Sequence, residues 1–543
     1  MVEENQTVED LLQQALELVP TALSKARTAK GFTTRWRVII SRLEKIPTCL
    51  SDLSSHPCFS KNTLCREQLQ AVLQTLNEAV ELVCVQEKQE EGKLKMQSDL
   101  DSLSSKLDLT LKDCGLLMKT GVLSEVTPPQ QPLQDSGETF GVRELLARLQ
   151  IGHLESKRKA LEQLVEVMKD DERAVITALN RTNVASLVHL LTSSPSAREN
   201  AASVICSLAE SGGCESWIVS ENALPPLIRL LESGSPSAKE KAVISLQRLS
   251  FSSETSRAIV GHGGVSPLIE ICKTGDSVSQ AASACTLKNI SSVPEVRHNL
   301  AEEGIVKAMI NILNHGILLG AKEYAAECLQ NLTSSNEALR RSVVSENGVQ
   351  TLLAYLDSPL PQEPGVAAVR NLVSSVPIET YVNIVPSLVH VLKAGSVGAQ
   401  QAAASTICRM STSNETKRMI GESGCIPLLV RMLEAKGGGA REVAAQAIAS
   451  LVTVPRNCRE VKRDEKSVTS LVMLLEPSPS NSAKKYAVSC LAAMCSSRKC
   501  RKLMVAHGAV GYLKKLAEME VPGSKKLLER IEKGKLKSFF TRK

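Results

Sequence analysis

The stretch NALPPLIRLLESGSPSAKEKAVISLQRLS, residues 222–250, decides the fold. It opens on Asn222, a residue type that enters the left-handed backbone region cheaply. An apolar run follows, with Leu224, Leu227, Leu230 and Leu231 at helical spacing, and residues 233–237 then break it with Ser, Gly and Pro. The chain resumes as a helix on which Ala238, Ala242, Leu246 and Leu249 recur every three or four residues. A turn, a helix, a breaker and a second helix form too small a unit to bury these apolar faces except against copies of itself.

The copies are present. Leu227 is one of ten equivalent anchors, with Leu146, Leu187, Leu268, Met309, Leu353, Leu388, Leu429, Leu471 and Leu513, separated by 41, 40, 41, 41, 44, 35, 41, 42 and 42 residues in chain order. A period near 41 sustained this long predicts a helical solenoid. Five residues before the anchors stand Gly141, Thr182, Asn222, Gly263, Gly304, Gly348, Asn383, Gly424, Lys466 and Gly508, and the prevalence of Gly and Asn there predicts a sharp turn ahead of each anchor helix. Breakers recur after the anchors, for example at residues 193–196, 275–276, 395–396 and 437–439. The last of these, a triple glycine, lacks the Lys-Ser/Thr that a phosphate-cradling loop needs. A short polar helix such as residues 253–260 leads into the next turn, so the unit has three helices.

Composition agrees. A chain of 543 residues exceeds one core, and 2 % aromatic residues beside 43 % hydrophobic ones suit close-packed helices. Sixteen cysteines are scattered through apolar helical positions, where a thiol acts as a small hydrophobe. Cys490, Cys495 and Cys500 come nearest to a ligand set, but five-residue steps drift round a helix and no fourth ligand completes a zinc site. No metal, cofactor or small-molecule substrate is expected, and no nucleophile elbow, P-loop, His-Glu-x-x-His or dinucleotide fingerprint is found. His189 and His390 are equivalent repeat positions. A non-enzymatic protein is the expectation.

The phrases Ala223-Leu-Pro-Pro-Leu-Ile-Arg-Leu-Leu, Gly264-Val-Ser-Pro-Leu-Ile-Glu and Leu329-Gln-Asn-Leu-Thr resemble armadillo repeats of plant proteins, over residues 141–523. The resemblance implies an all-α fold in which about ten repeats wind a right-handed superhelix and bind a protein partner in a concave groove. Between Asn371 and Asn383 the interval is 12 residues, against 15 from Asn289 to Gly304, which predicts a shortened first helix.

Residues 1–123 read as four amphipathic helices forming a bundle, the first opened by Thr7 and Asp10 at capping-box spacing and the second carrying Trp36, Ile39, Ile40, Leu43, Ile46 and Leu50. Residues 124–140, with Pro128, Pro129 and Pro132, form a linker. The arrangement resembles the helical domain that precedes the U-box in plant U-box/armadillo ubiquitin ligases. A U-box of roughly 70 residues does not fit in this linker, so ligase activity is not expected; a non-catalytic place in that pathway is the alternative to the scaffold reading.

One column on the third helices carries the binding expectation: Glu166, Ser207, Arg248, Asn289, Asn331, Asn371, Arg409, Ser450 and Ala493. In armadillo proteins that grip extended peptides the matching Asn faces the groove, and an amide both donates to and accepts from a backbone. Asn289, Asn331 and Asn371 would thus form a ladder, while Arg248, Arg409, Lys288 and Arg370 would favour an acidic partner segment. The same Asn can instead tie neighbouring helix turns together. Importin-α-like receptors add a Trp four residues before each groove Asn, where this chain has Cys285, Glu327 and Ala367, so that reading is not favoured.

Charge is local. Of the net +7, residues 524–543 contribute +6 through Lys525, Lys526, Arg530, Lys533, Lys535, Lys537, Arg542 and Lys543 against Glu529 and Glu532. No sequence-specific nucleic-acid binding is expected from so confined a charge. With Phe539 and Phe540, this tail reads as a contact for anionic membrane or an acidic partner, as a nuclear address, or as a solubilising helical cap on the last repeat. No apolar run approaches the roughly 20 residues of a membrane span. The expected location is intracellular, in cytoplasm and/or nucleus, with the membrane periphery as the alternative through the tail.

Overall fold

In the computed structural model, residues 6–88, 92–120, 122–123, 141–152 and 154–540 are described, with the side chains of residues 87, 88, 465 and 534–540 outside that set. The linker at 124–140 also lies outside it. The described residues are helices and turns with no strand, an all-α solenoid of three-helix units that follows a helical bundle in the chain. They form two compact units, Met1–Ser245 and Leu246–Lys543.

In the first unit the capping box is formed: Asp10 N–H donates to Thr7 Oγ1 at 3.1 Å and Thr7 N–H to Asp10 Oδ2 at 2.9 Å, which holds the Asp10 carboxyl below its ordinary range. The helices are Val8–Thr28, Thr33–Leu43, Ile46–Ser54, Thr63–Lys88 and Lys93–Lys119, five where four were expected. The expected second helix is cut between Leu43 and Ile46. Pro47 lies in the first turn of the new helix, where it offers no N–H and its ring would clash with the Leu43 carbonyl of a continuous helix.

The bundle core, built on Val19, Trp36, Ile39, Leu69, Leu76, Leu100 and Leu107, does not stop at the bundle, because Ala147 and Ile151 of the first repeat belong to it. Arg148, 5 % exposed, lies between them and donates to Glu67 at 2.8 and 2.9 Å, to Thr63 Oγ1 at 3.0 Å and to Glu144 at 3.2 Å. The bundle and the first repeat are one packed body.

All ten anchors lie in helices and are buried. The turn before them is left-handed at Asn222, Gly263, Gly304, Gly424 and Gly508. In the sixth repeat Asn347, at φ 62°, takes that role instead of Gly348. Gly348 serves close approach, since a Cβ there would meet Val343 Cγ1 at 2.5 Å. Asn383 falls inside helix Tyr381–Ala394, because the first helix of that repeat is reduced to the 3-10 turn Ile378–Thr380. The segment set apart as a tail is helix Ser524–Phe540, the third helix of the tenth repeat, with Leu527 and Ile531 buried against the helices before it. Its charges outnumber its apolar stripe, which is why composition alone set it apart.

Candidate functional site

The second unit stacks its third helices side by side: Ser277–Ser291 packs on Leu319–Thr333, that on Glu363–Leu372, and that on Val397–Met410. The stacking brings Asn289, Asn331, Asn371 and Arg409 into one column, each one repeat from the next, as the spacing predicts.

What the column residues touch differs from the expected two-sided grip. Asn289 Nδ2 donates to Ser250 Oγ at 2.8 Å. Asn331 Nδ2 donates to Ser291 Oγ at 3.0 Å and to the Lys288 carbonyl at 3.5 Å. Asn371 Nδ2 donates to Thr333 Oγ1 at 3.2 Å and to the Gln330 carbonyl at 3.3 Å. The rule is regular: the amide reaches a hydroxyl two residues beyond the previous column position and, in the latter two, the carbonyl one residue before it. A main-chain carbonyl only accepts, so the amide nitrogen must face it.

The N–H groups of Asn331 and Asn371 are therefore committed to holding consecutive repeats in register. Asn289 and Asn371 are 8 % and 9 % exposed, while Asn331 is half-buried. The Oδ1 atoms accept no hydrogen bond among the described residues and are not closed off from solvent. What the ladder can offer a ligand is a row of acceptors.

The hydroxyls Ser250, Ser291 and Thr333 are the residues that the column alone does not reveal. Their signal was present as a second column two residues downstream. It lapses at Val373, and there the next column residue is Arg409 rather than Asn.

The four cations divide. Lys288 Nζ lies 3.4 Å from Glu327 Oε2 and 5.5 Å from the Tyr324 ring centroid, so its charge is met within the protein. Arg248 is exposed near the end of helix Pro236–Leu249. Arg409 is exposed and donates from Nη1 to the Arg370 carbonyl at 3.3 Å. Arg370 is half-buried, and its Nε is closed off from solvent without a hydrogen-bond partner. Burial, and next the neighbouring Arg409, push the Arg370 pKa below the ordinary arginine value.

The thiols along these helices belong to the packing. Burial pushes Cys328 up to about 12 and raises Cys285, which keeps both protonated and unreactive at neutral pH. Cys490, Cys495 and Cys500 are buried and free, and among the described residues no group of three His, Cys, Asp or Glu is placed to hold a metal.

At the C-terminal end Lys525, Lys526, Arg530 and Lys533 are all exposed, and Lys533 Nζ is 3.9 Å from Glu529. Helix Arg498–Ala506 packs on the same helix and exposes Arg498 and Lys502. The side chains of Lys535, Lys537, Phe539 and Phe540 lie outside the described residues, as do Arg542 and Lys543. No described helix is long and apolar enough to cross a membrane.

Comparison with known proteins gives a family match for the bundle and a fold match for the repeats. Residues 13–122 match a family model described as a domain of unknown function (DUF7032), a description that assigns no activity. No curated protein matches. Among solved structures, a crystal structure of an engineered protein from the Northeast Structural Genomics Consortium matches with a TM-score of 0.61 and 26 % identity, over 73 % of this chain and 98 % of that one. A looser match is a designed armadillo repeat protein, with a TM-score of 0.38 and 20 % identity, over 42 % of this chain and 98 % of that one. The chain is thus similar to an engineered protein over 73 % of its length, and residues 13–122 are similar to the DUF7032 family.

Proposed function

We propose that this chain is a non-enzymatic scaffold whose second unit holds an extended, acidic segment of a partner protein along the face that carries Asn289, Asn331, Asn371, Arg370 and Arg409. The observation that supports this most is the stacked column itself. Third helices about 8–10 Å apart match three residues of extended chain at roughly 3.3 Å each, so one Oδ1 per repeat can accept from a partner N–H at each step. Arg370 and Arg409 supply uncompensated positive charge beside that row.

The reading is tested by changing Asn289, Asn331 and Asn371 together to Ala and comparing captured partners with those of the wild-type chain. Because each amide also joins two repeats, the comparison is made at a temperature where circular dichroism shows the variant fully helical. Loss of the captured set is expected. An unchanged set removes the Asn column from recognition.

The exposed cations on helices Arg498–Ala506 and Ser524–Phe540 favour a second reading, in which the last repeat contacts an anionic membrane surface. The two readings concern different repeats and do not compete.

A further inference from the structure

Two cations one residue before a column Asn are treated differently by this fold. Lys288 precedes Asn289 and is neutralised by Glu327. Arg370 precedes Asn371, and neither it nor Arg409 forms an ion pair with any described residue. A second guanidinium acts on Arg370 as a like charge: that of Arg409, whose Nη1 donates to the main-chain carbonyl of Arg370 itself at 3.3 Å. Among the described residues no side-chain hydrogen bond holds the Arg370 guanidinium, and its Nε–H is buried without an acceptor.

A half-buried cation beside a like charge, with an unmet donor, is unfavourable in the free protein. An anion that reaches the Nη groups of Arg370, which are not closed off from solvent, and of the exposed Arg409 relieves this like-charge contact. A carboxylate compensates one of the two charges. A phosphate monoester carries about −1.5 to −2 at neutral pH and three acceptor oxygens, which matches two guanidiniums in both charge and donor number. Arginine rather than lysine at both positions suits this role, because the planar fork engages two oxygens at once.

We propose that Arg370 and Arg409 form a clamp for a phosphorylated serine or threonine on the partner segment, so that phosphorylation of the partner sets its affinity. The clamp rests on the reading of this face as the docking surface. It places the modified residue beside Asn371, with the unmodified part of the segment running toward Asn331 and Asn289.

The test uses the full chain and three blocked tripeptides, Gly-X-Gly with X phosphoserine, glutamate or serine, titrated calorimetrically. They are too short to span the Asn column. The phosphoserine peptide is expected to bind at least tenfold more tightly than the glutamate peptide, and the serine peptide not measurably. Arg370→Ala and Arg409→Ala should each weaken phosphoserine binding at least tenfold, whereas Arg459→Ala, an exposed cation on helix Pro455–Arg463, should not.

Equal binding of the glutamate and phosphoserine peptides, or undiminished binding to Arg370→Ala, overturns the clamp. The Asn triple variant separates the two ideas. If it captures partners normally while tripeptide binding still depends on Arg370, the groove reading falls and the clamp stands. If the wild-type chain does not bind the phosphoserine peptide, the clamp falls whatever the Asn variant does. Arg370→Met gives a ligand-free check: removing an uncompensated charge should leave the melting temperature unchanged or raised, and a clear drop shows that Arg370 has a stabilising partner and is no clamp.

Discussion

Asn371 shows how much one side chain of this fold is asked to do. Its amide nitrogen joins two successive third helices through Thr333 and Gln330, and its Oδ1 remains available. A hydrogen bond of this kind contributes about 1 kcal/mol net. Asn371→Ala, which removes both bonds, should therefore destabilise the chain by about 1–2 kcal/mol and Thr333→Val by about 1 kcal/mol, and the double variant by less than their sum, since the Asn371–Thr333 bond is lost in both. Denaturant unfolding read by hydrogen exchange over residues 330–372 measures this. Additive losses would mean that the pair is not coupled. The column was legible in the sequence as a recurrence of Asn. Its donors' engagement was not, because Thr333 and Asn371 are 38 residues apart and only the stacking of repeats makes them neighbours.

The last helix shows that an element's identity is set by what it covers. Leu527 and Ile531 are 0 % and 1 % exposed although eight Lys/Arg stand within residues 524–543. Burying each such side chain contributes roughly 1.5–3 kcal/mol. Truncation after Gly523 should therefore lower the melting temperature and increase aggregation. Exchanging Lys525, Lys526, Arg530 and Lys533 for Gln should leave the melting temperature unchanged while weakening co-sedimentation with phosphatidylserine vesicles, an interaction that must itself fade at high salt. Vesicle binding that survives the exchange removes the membrane reading. Helix Ile46–Ser54 teaches the same lesson at the other end: Pro47 was in plain view, yet the apolar stripe from Trp36 to Leu50 reads as continuous until the proline's place in a new first turn is seen.

At the scale of the molecule, repeat arrays need their ends covered. At the N-terminal end the five-helix bundle does this, sharing its core with Ala147 and Ile151 and fastening Arg148 to Glu67, Thr63 and Glu144. Deleting residues 1–123 uncovers that surface. Hydrogen exchange within residues 142–170 should then accelerate markedly, and Arg148→Ala in the full chain should cost about 1.5–3 kcal/mol, the range for hydrogen bonds to charged groups. Unchanged protection after the deletion would show that the repeats hold themselves. The domain boundary drawn through the Pro-containing linker followed chain composition, whereas the packing runs across it.

From the sequence alone came the number of repeats, their register, the shortened first helix near residue 378 and the alignment of the third-helix column. Each of these depends on turn chemistry and apolar periodicity within one unit of about 41 residues, where the determinants are near neighbours in the chain. Tertiary structure alone decided that the Asn donors are engaged, that Lys288 is neutralised by Glu327 while Arg370 faces a second arginine, and that the bundle continues into the first repeat. Those facts depend on contacts between units. Burial and partnership are properties of the packed stack, and no local pattern of residues states them.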